Sequence, residues 1–294
     1  MPSALLLGQA PEATATMGVF EAIVIGIVQG LTEFLPISST AHVKIVPVAL
    51  GWGDPGVAFT AVIQLGSVAA ILWYFWDDLY KVTTNTLRAA VGRKFNSPDF
   101  RMGLGIILGT VPIVVCGLAI KVFVPDYDNS IVRSTGAIAI TSIVMALLLG
   151  LAEIVGKRER GFPQLGLWDG IGVGFAQALA LIPGVSRSGS TLTAGLFMGL
   201  ERDTAARFSF LLGMPAILLA GLVELKDLAE SGGGDAGWTA LIAGLIAAVV
   251  SSYLAIAWLI KFLQRHSTWV FVWYRLAFGV AILAGIATST LKNV

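Results

Sequence analysis

Gln29-Gly-Leu-Thr-Glu33-Phe-Leu-Pro36-Ile-Ser38-Ser39-Thr40-Ala-His42 is the stretch on which the reading of this chain turns. It lies between two apolar runs, yet it carries a carboxylate, three hydroxyls and an imidazole. Ionisable groups at membrane depth are costly to keep there, which makes them functional candidates. Pro36 followed by hydroxyl residues ends one helix and caps the next. Broken backbone at that depth must be buried in protein or line a wet cavity.

The surrounding composition supplies the membrane. Of 294 residues, 56% are hydrophobic and 13% charged, against about 25% charged in a soluble domain. Mean hydropathy is +0.84, and several apolar runs reach the ~20 residues that cross a bilayer core. A net charge of +1 gives no electrostatic case for nucleic acid. The single cysteine, Cys116, excludes an intrachain disulfide and is expected to be a small buried residue. No signal peptide is expected, because the apolar run at 4–7 is too short and lacks a basic flank.

Outward from the opening stretch, the chain reads as all-α and polytopic, a single integral membrane domain over 1–294. Residues 1–17 form a loose arm. Short helices at 18–31 and 41–50 flank the break as a re-entrant hairpin. Full spans are expected at 57–76, 101–123, 131–155, 205–224, 237–260 and 269–290, with the run Trp73 to Trp76 as an aromatic belt. The basic segments 77–100, 156–166 and 261–268 are read as cytoplasmic loops. The turn 125–130, with Asp126 and Asp128, and the linker 225–236, with Gly232 to Gly234, then face outside, as do both termini.

A second break, Pro183-Gly-Val-Ser186-Arg187-Ser188-Gly189-Ser190-Thr191, follows a second short apolar helix at 168–181. Gly26, Gln29 and Leu31 align with Gly174, Gln177 and Leu179. Ser38 and Ser186 each lie nine residues after their glutamine. The charge pattern makes the first hairpin enter from outside and the second from inside. The chain therefore reads as two inverted repeats, 18–156 and 165–294, meeting at a midplane site.

If both breaks point inward, one cavity collects Glu33, Ser38, Ser39, Thr40 and His42 with Ser186, Arg187, Ser188, Ser190 and Thr191. Ser39 and His42 are i, i+3 and share a helical face, the arrangement of a nucleophile and its base. Arg187 forks onto phosphate. Gly184 and Gly189 let backbone amides approach a ligand, and two opposed helix N-termini favour an anion. A carboxylate beside an anion site suits an intervening divalent cation. Together these parts suit phosphoryl transfer.

Each residue also has a plainer reading. Glu33 and Arg187 could be only a structural ion pair, and His42 only a hydrogen-bond donor. Ser38 and Ser186 could be N-caps, and Gln29 and Gln177 could bond across helices. Lys44 and Arg275 are expected to snorkel or pair, Glu153 and Glu224 to be interfacial, and His266 to be an inert loop residue. The pairs Gly26/Gly30, Gly105/Gly109, Gly170/Gly174 and Gly195/Gly199 fit close helix packing. No Walker-type nucleotide loop or zinc spacing occurs, which counts against a lipid kinase.

The two break sequences resemble the signature stretches of the undecaprenyl-diphosphate phosphatases of the bacitracin-resistance type. The first is similar to that family's [Glu/Gln]-x-x-x-Glu motif with its following Ser-Thr-x-His, the second to its Pro-Gly-x-Ser-Arg-Ser motif. The resemblance implies six spans and two re-entrant hairpins in inverted repeat, in a bacterial inner-membrane enzyme whose site opens to the periplasm. It implies hydrolysis of undecaprenyl diphosphate to undecaprenyl phosphate, with bacitracin competing for that lipid. It assigns Glu33, assisted by Gln29, to a divalent cation (Mg²⁺ or Ca²⁺), Ser39 to the nucleophile and His42 to its base or a proton shuttle. Arg187, Ser186, Ser188 and Thr191 would bind the diphosphate, with Ser38, Thr40 and Ser190 beside them. Gln29 stands where many members have Glu, which leaves one carboxylate for a metal; Ala41 stands where Gly is usual. The nucleophile stays open among Ser39, His42 and water, and a homodimer stays open as an assembly. Inverted repeats also suit a transporter, so a polyprenyl-phosphate flippase is the competing reading.

Overall fold

The structure, a computed structural model, describes residues 17–53, 55–124, 126–127, 130–230 and 237–293. Most of the expected N-terminal arm, Asp128 and the triple glycine lie outside the described residues, as does the side chain of Glu224. Among those described, the chain is helical. The first half holds α1 (Val19–Phe34), α2 (Ser39–Ala49), α3 (Val57–Tyr74), α4 (Trp76–Val91), α5 (Pro98–Phe123) and α6 (Thr135–Val155). The second holds α7 (Leu167–Ala178), α8 (Arg187–Phe197), α9 (Arg202–Glu230), α10 (Gly237–Leu263) and α11 (Trp269–Ala287).

Five helices, α5, α6, α9, α10 and α11, are long and apolar enough to cross a membrane, and the bent pair α3–α4 makes a sixth candidate. The chain is a polytopic helical membrane protein. Pro112 and Pro215 sit inside α5 and α9; α1 runs three residues further than its apolar pattern, so Glu33 ends a helix instead of lying in the break.

Lipid tails are as apolar as leucine, so packing density and buried hydrogen bonds hold helices together in a bilayer. Glycine supplies the density here. A Cβ on Gly26 would lie 2.2 Å from the Gly244 carbonyl oxygen, and one on Gly30 would lie 2.0 Å from Ser251 Oγ, so α1 lies directly on α10. The same holds for α5 on α7, where a Cβ on Gly109 or Gly170 would lie within 2.2 Å of backbone oxygen on the other helix. The fourth small pair departs from expectation: Gly195 packs on Ala205, but Gly199 has φ +81° and turns the chain after α8.

Three other expectations change. The segment 77–100 is largely helix, because α4 has an apolar edge that a window average hides. Cys116 is exposed, since α5 leaves most of its apolar length unburied. Glu153 is buried, receiving hydrogen bonds from Arg202, Arg158 and the Thr268 amide and hydroxyl. Arg207 pairs with Asp78 and lies over the Phe162 ring, and Asp169 holds Arg160 charged above its ordinary range through two hydrogen bonds. These contacts draw α4, the 156–166 segment and the 261–268 segment to one end of the bundle, as the charge pattern anticipates.

Candidate active site

Each break is a short turn between a helix end and a new helix start, the second preceded by a 3-10 helical turn at Leu179–Leu181. Ser38 and Ser186 take the same unusual backbone conformation, φ 75° and 71°, immediately before α2 and α8. Positive φ in a non-glycine residue costs about 1–3 kcal/mol and persists only where the surroundings enforce it. Ser186 recovers part of this as an N-cap, its Oγ accepting from the Gly189 amide at 3.1 Å. Ser38 makes no such side-chain cap; its carbonyl accepts the His42 Nδ1–H at 2.8 Å.

Arg275 enforces both breaks. It is 1% exposed, and its guanidinium donates to the carbonyls of Pro36, Ser142, Gly184 and Val185 at 2.7–3.2 Å. It neither snorkels nor meets a carboxylate, but ties α1–α2, α6 and α7–α8 together through backbone. In sequence, a lone arginine in an apolar span is the only signal of that role. Arg275→Leu should lower the unfolding temperature in detergent sharply, since each stranded acceptor costs about 1–3 kcal/mol. Arg275→Lys, with one ammonium in place of a planar fork, should recover only part of the loss.

The breaks meet around Glu33. Its Oε2 accepts from Ser39 Oγ at 2.7 Å and from Gln29 Nε2 at 3.0 Å, and its Oε1 accepts from Arg187 Nη2 at 3.2 Å. Ser188 Oγ donates to the carbonyls of Glu33 and Leu35, fastening α8 to the end of α1. Arg187 Nη1 is buried with no hydrogen-bond partner among the described residues, and it lies against Gly213 of α9.

A cavity of about 500 Å³ opens onto this cluster. Its polar end is Glu33, Ser38, Ser39, Thr40, Ser186 and Arg187. Its walls are apolar side chains of α5 (Ile113 to Leu118), of the 180–182 segment and of α9 (Ala216 to Val223), with Lys121 at the rim. A smaller cavity of about 130 Å³ shares Ser39, Thr40 and Gln64 with it and adds Gln29, Lys44 and Arg133. Lys44 Nζ donates to the Arg133 carbonyl at 3.0 Å.

Not every expected residue reaches the cavity. Ser39 bonds to Glu33 rather than to His42, so the expected nucleophile–base pair is not formed. The His42 ring stacks on Phe278 at 4.3 Å, donates to Ser38 and accepts from the Tyr274 hydroxyl at 2.6 Å. Two apolar-span aromatics thus hold it away from the lining, and no local spacing announces them. Ser190 and Thr191 bond back to the Arg187 carbonyl and Thr191 also meets Ser209, so neither hydroxyl lines the cavity; nor does Ser188. Helical hydroxyls commonly satisfy themselves on the preceding turn in this way. The two glutamines part company as well: Gln29 bonds within its own helix, and Gln177, fully buried, has no partner among the described residues.

Among the described residues no group of three or more His, Cys, Asp or Glu could hold a metal ion. Within the cluster the hard-oxygen donors are the Glu33 carboxylate, the Gln29 amide and the Ser39 hydroxyl, the kind of set that Mg²⁺ or Ca²⁺ takes when substrate oxygens and water complete the shell.

The family profile described as "Bacitracin resistance protein BacA" matches residues 22–281. A Nostoc protein named "Undecaprenyl-diphosphatase" is 65% identical over 94% of this chain and 87% of its own length. Proteins of the same name from Trichodesmium erythraeum and a Synechococcus strain are 61% and 60% identical, over 94% and 100% of this chain and 88% and 98% of their own lengths. The chain belongs to the bacitracin resistance protein BacA family.

Proposed function

We propose that this protein hydrolyses undecaprenyl diphosphate to undecaprenyl phosphate and inorganic phosphate, which returns the lipid carrier to cell-wall synthesis. The observation that carries the reading is the hydrogen bond from Ser39 Oγ to Glu33 at the polar end of a cavity whose walls are mostly apolar. A polyprenyl diphosphate has that same division between head and tail, and relatives at 56–65% identity bear the corresponding name. Bacitracin, by sequestering the lipid, competes with the enzyme for substrate.

In this reading the terminal phosphoryl group sits between Ser39 and Arg187. Glu33 Oε2 takes the Ser39 proton as Oγ bonds to phosphorus. The bond from phosphorus to the bridging oxygen breaks, and undecaprenyl phosphate leaves with that oxygen. Arg187 Nη1, without a hydrogen-bond partner among the described residues, donates to the equatorial oxygens as their charge grows. Water then attacks the seryl phosphate while Glu33 returns its proton to Ser39 Oγ as the phosphorus–Oγ bond breaks, and inorganic phosphate departs carrying the protons of the water. His42 positions the break through Ser38 and acts at a distance from phosphorus, which disfavours it as the nucleophile. Glu33 and Gln29 would hold the divalent cation; when bound, it supplies charge neutralisation at the diphosphate oxygens.

The same reading makes α1–α2 and α7–α8 re-entrant hairpins of two inverted repeats. Support comes from the matched conformations of Ser38 and Ser186 and from a packing pattern that survives exchange of halves: α1 on α10 mirrors α7 on α5, while α3 meets α9 and α6 meets α11. The cavity is lined by the later turns of α5 and α9, whose first turns lie at the basic end. With basic segments in the cytoplasm, the cavity faces the periplasmic side of the inner membrane.

The test is phosphate release from undecaprenyl diphosphate by the purified protein in detergent, without nucleotide, with and without chelator. Ser39→Ala should reduce release to the level of a blank. Unaltered release by that variant would move the attack to water. No release by the parent protein, with lipid movement in sealed vesicles, would favour the flippase.

A further inference from the structure

α4 is the part of the fold that the reaction does not use. It leaves α3 at 73°, at a corner flanked by Trp73 and Trp76, which are 68% and 64% exposed. Exposed tryptophans at the end of an apolar helix mark the membrane–water boundary. A helix that turns through such an angle at that boundary runs along the bilayer surface rather than through it.

The faces of α4 agree with that course. One face packs inward: Ala89 is buried, Thr86 fits over Gly103, and Asp78 is held by Arg207 of α9. A second face carries Trp76, Tyr80, Leu87 and Val91, all more than half exposed, at spacings that place them within about a sixth of the helix circumference. Lys81 and Arg88 flank that ridge, and Arg93 and Lys94 follow the helix end; all four are exposed. With Asp78 engaged by Arg207, Asp77 is the acid on the same side, so the balance there is positive. An apolar ridge bordered by cations matches the boundary layer of an anionic leaflet.

We infer that α4 is an interfacial helix that embeds Trp76, Tyr80, Leu87 and Val91 at the head-group boundary and binds anionic phospholipid head groups through Lys81 and Arg88. This surface is independent of the diphosphatase reading. It anchors the basic end of the bundle, and through Arg207 it fixes the first turns of α9.

Spin labels at Leu87→Cys and, separately, Tyr80→Cys test this, each in a Cys116→Ala background. The full chain is reconstituted in phosphatidylcholine vesicles with and without phosphatidylglycerol. Both labels should collide more often with oxygen than with a water-soluble nickel complex, unlike a control label at Lys157→Cys. Phosphatidylglycerol retained by the purified protein should fall about fivefold for each of Lys81→Gln and Arg88→Gln, the factor expected for one cation at an anionic surface. Water-like collision rates at both label sites would overturn the interfacial placement. Unchanged phosphatidylglycerol retention in the doubly neutralised protein would overturn the head-group assignment. Neither readout requires turnover, so both are separable from failure of the enzymatic reading.

Discussion

Replacing Glu33 with Gln is expected to lower kcat by about three orders of magnitude while leaving the fold intact. The carboxylate is where three donors converge, from Ser39, Gln29 and Arg187. Glutamine keeps the shape and part of the hydrogen bonding but cannot take the Ser39 proton, and general-base catalysis is worth about 10²–10⁴-fold. It also removes the counter-ion of Arg187, so substrate affinity need not fall with kcat. Phosphate release against lipid concentration, alongside an unfolding curve in detergent, separates the two effects. A variant with near-parental kcat would place the base elsewhere and leave Glu33 as a structural partner of Arg187.

The second large effect concerns Arg187 and its seat. Arg187→Ala should remove turnover by about 10³-fold or more, the scale of losing a transition-state cation in phosphoryl transfer. A less obvious change should do nearly as much. Gly213 lies on α9, and a Cβ there would sit 1.6 Å from Arg187 Nη1, where no atom can be accommodated. Gly213→Ala adds one methyl group and deletes no functional group, yet it must displace the guanidinium. It should therefore mimic a large part of the Arg187→Ala defect. In the double variant the two losses should not add, because both act through the same guanidinium. Full additivity would show that Gly213 matters only to helix packing.

What was legible from sequence follows from range. Composition and apolar run length are local, and they identified α3, α5, α6, α9, α10 and α11 within a few residues. The breaks were legible for the same reason: proline, glycine and clustered hydroxyls act on the backbone within one turn. Glu33, Ser39 and Arg187 stood out because charge and hydroxyls are rare in such a chain. α4 was missed because its apolar ridge recurs at helical spacing inside a polar segment that a hydropathy average reads as loop.

The residues misjudged were those whose partners lie far along the chain. Arg275 meets Pro36 across 239 positions and Val185 across 90, and Glu153 meets Thr268 across 115. Ser39 and His42 share a helical face, yet Glu33 claims the hydroxyl and Tyr274, 232 positions away, claims the imidazole. The sequence by itself determined a membrane-embedded bundle with two polar breaks and the chemical groups they carry, because hydropathy and backbone propensity act over one or two turns. Only the tertiary structure decided which of those groups face the cavity, because that choice rests on pairings between helices, where one carboxylate can serve only the donors that packing brings within about 3 Å.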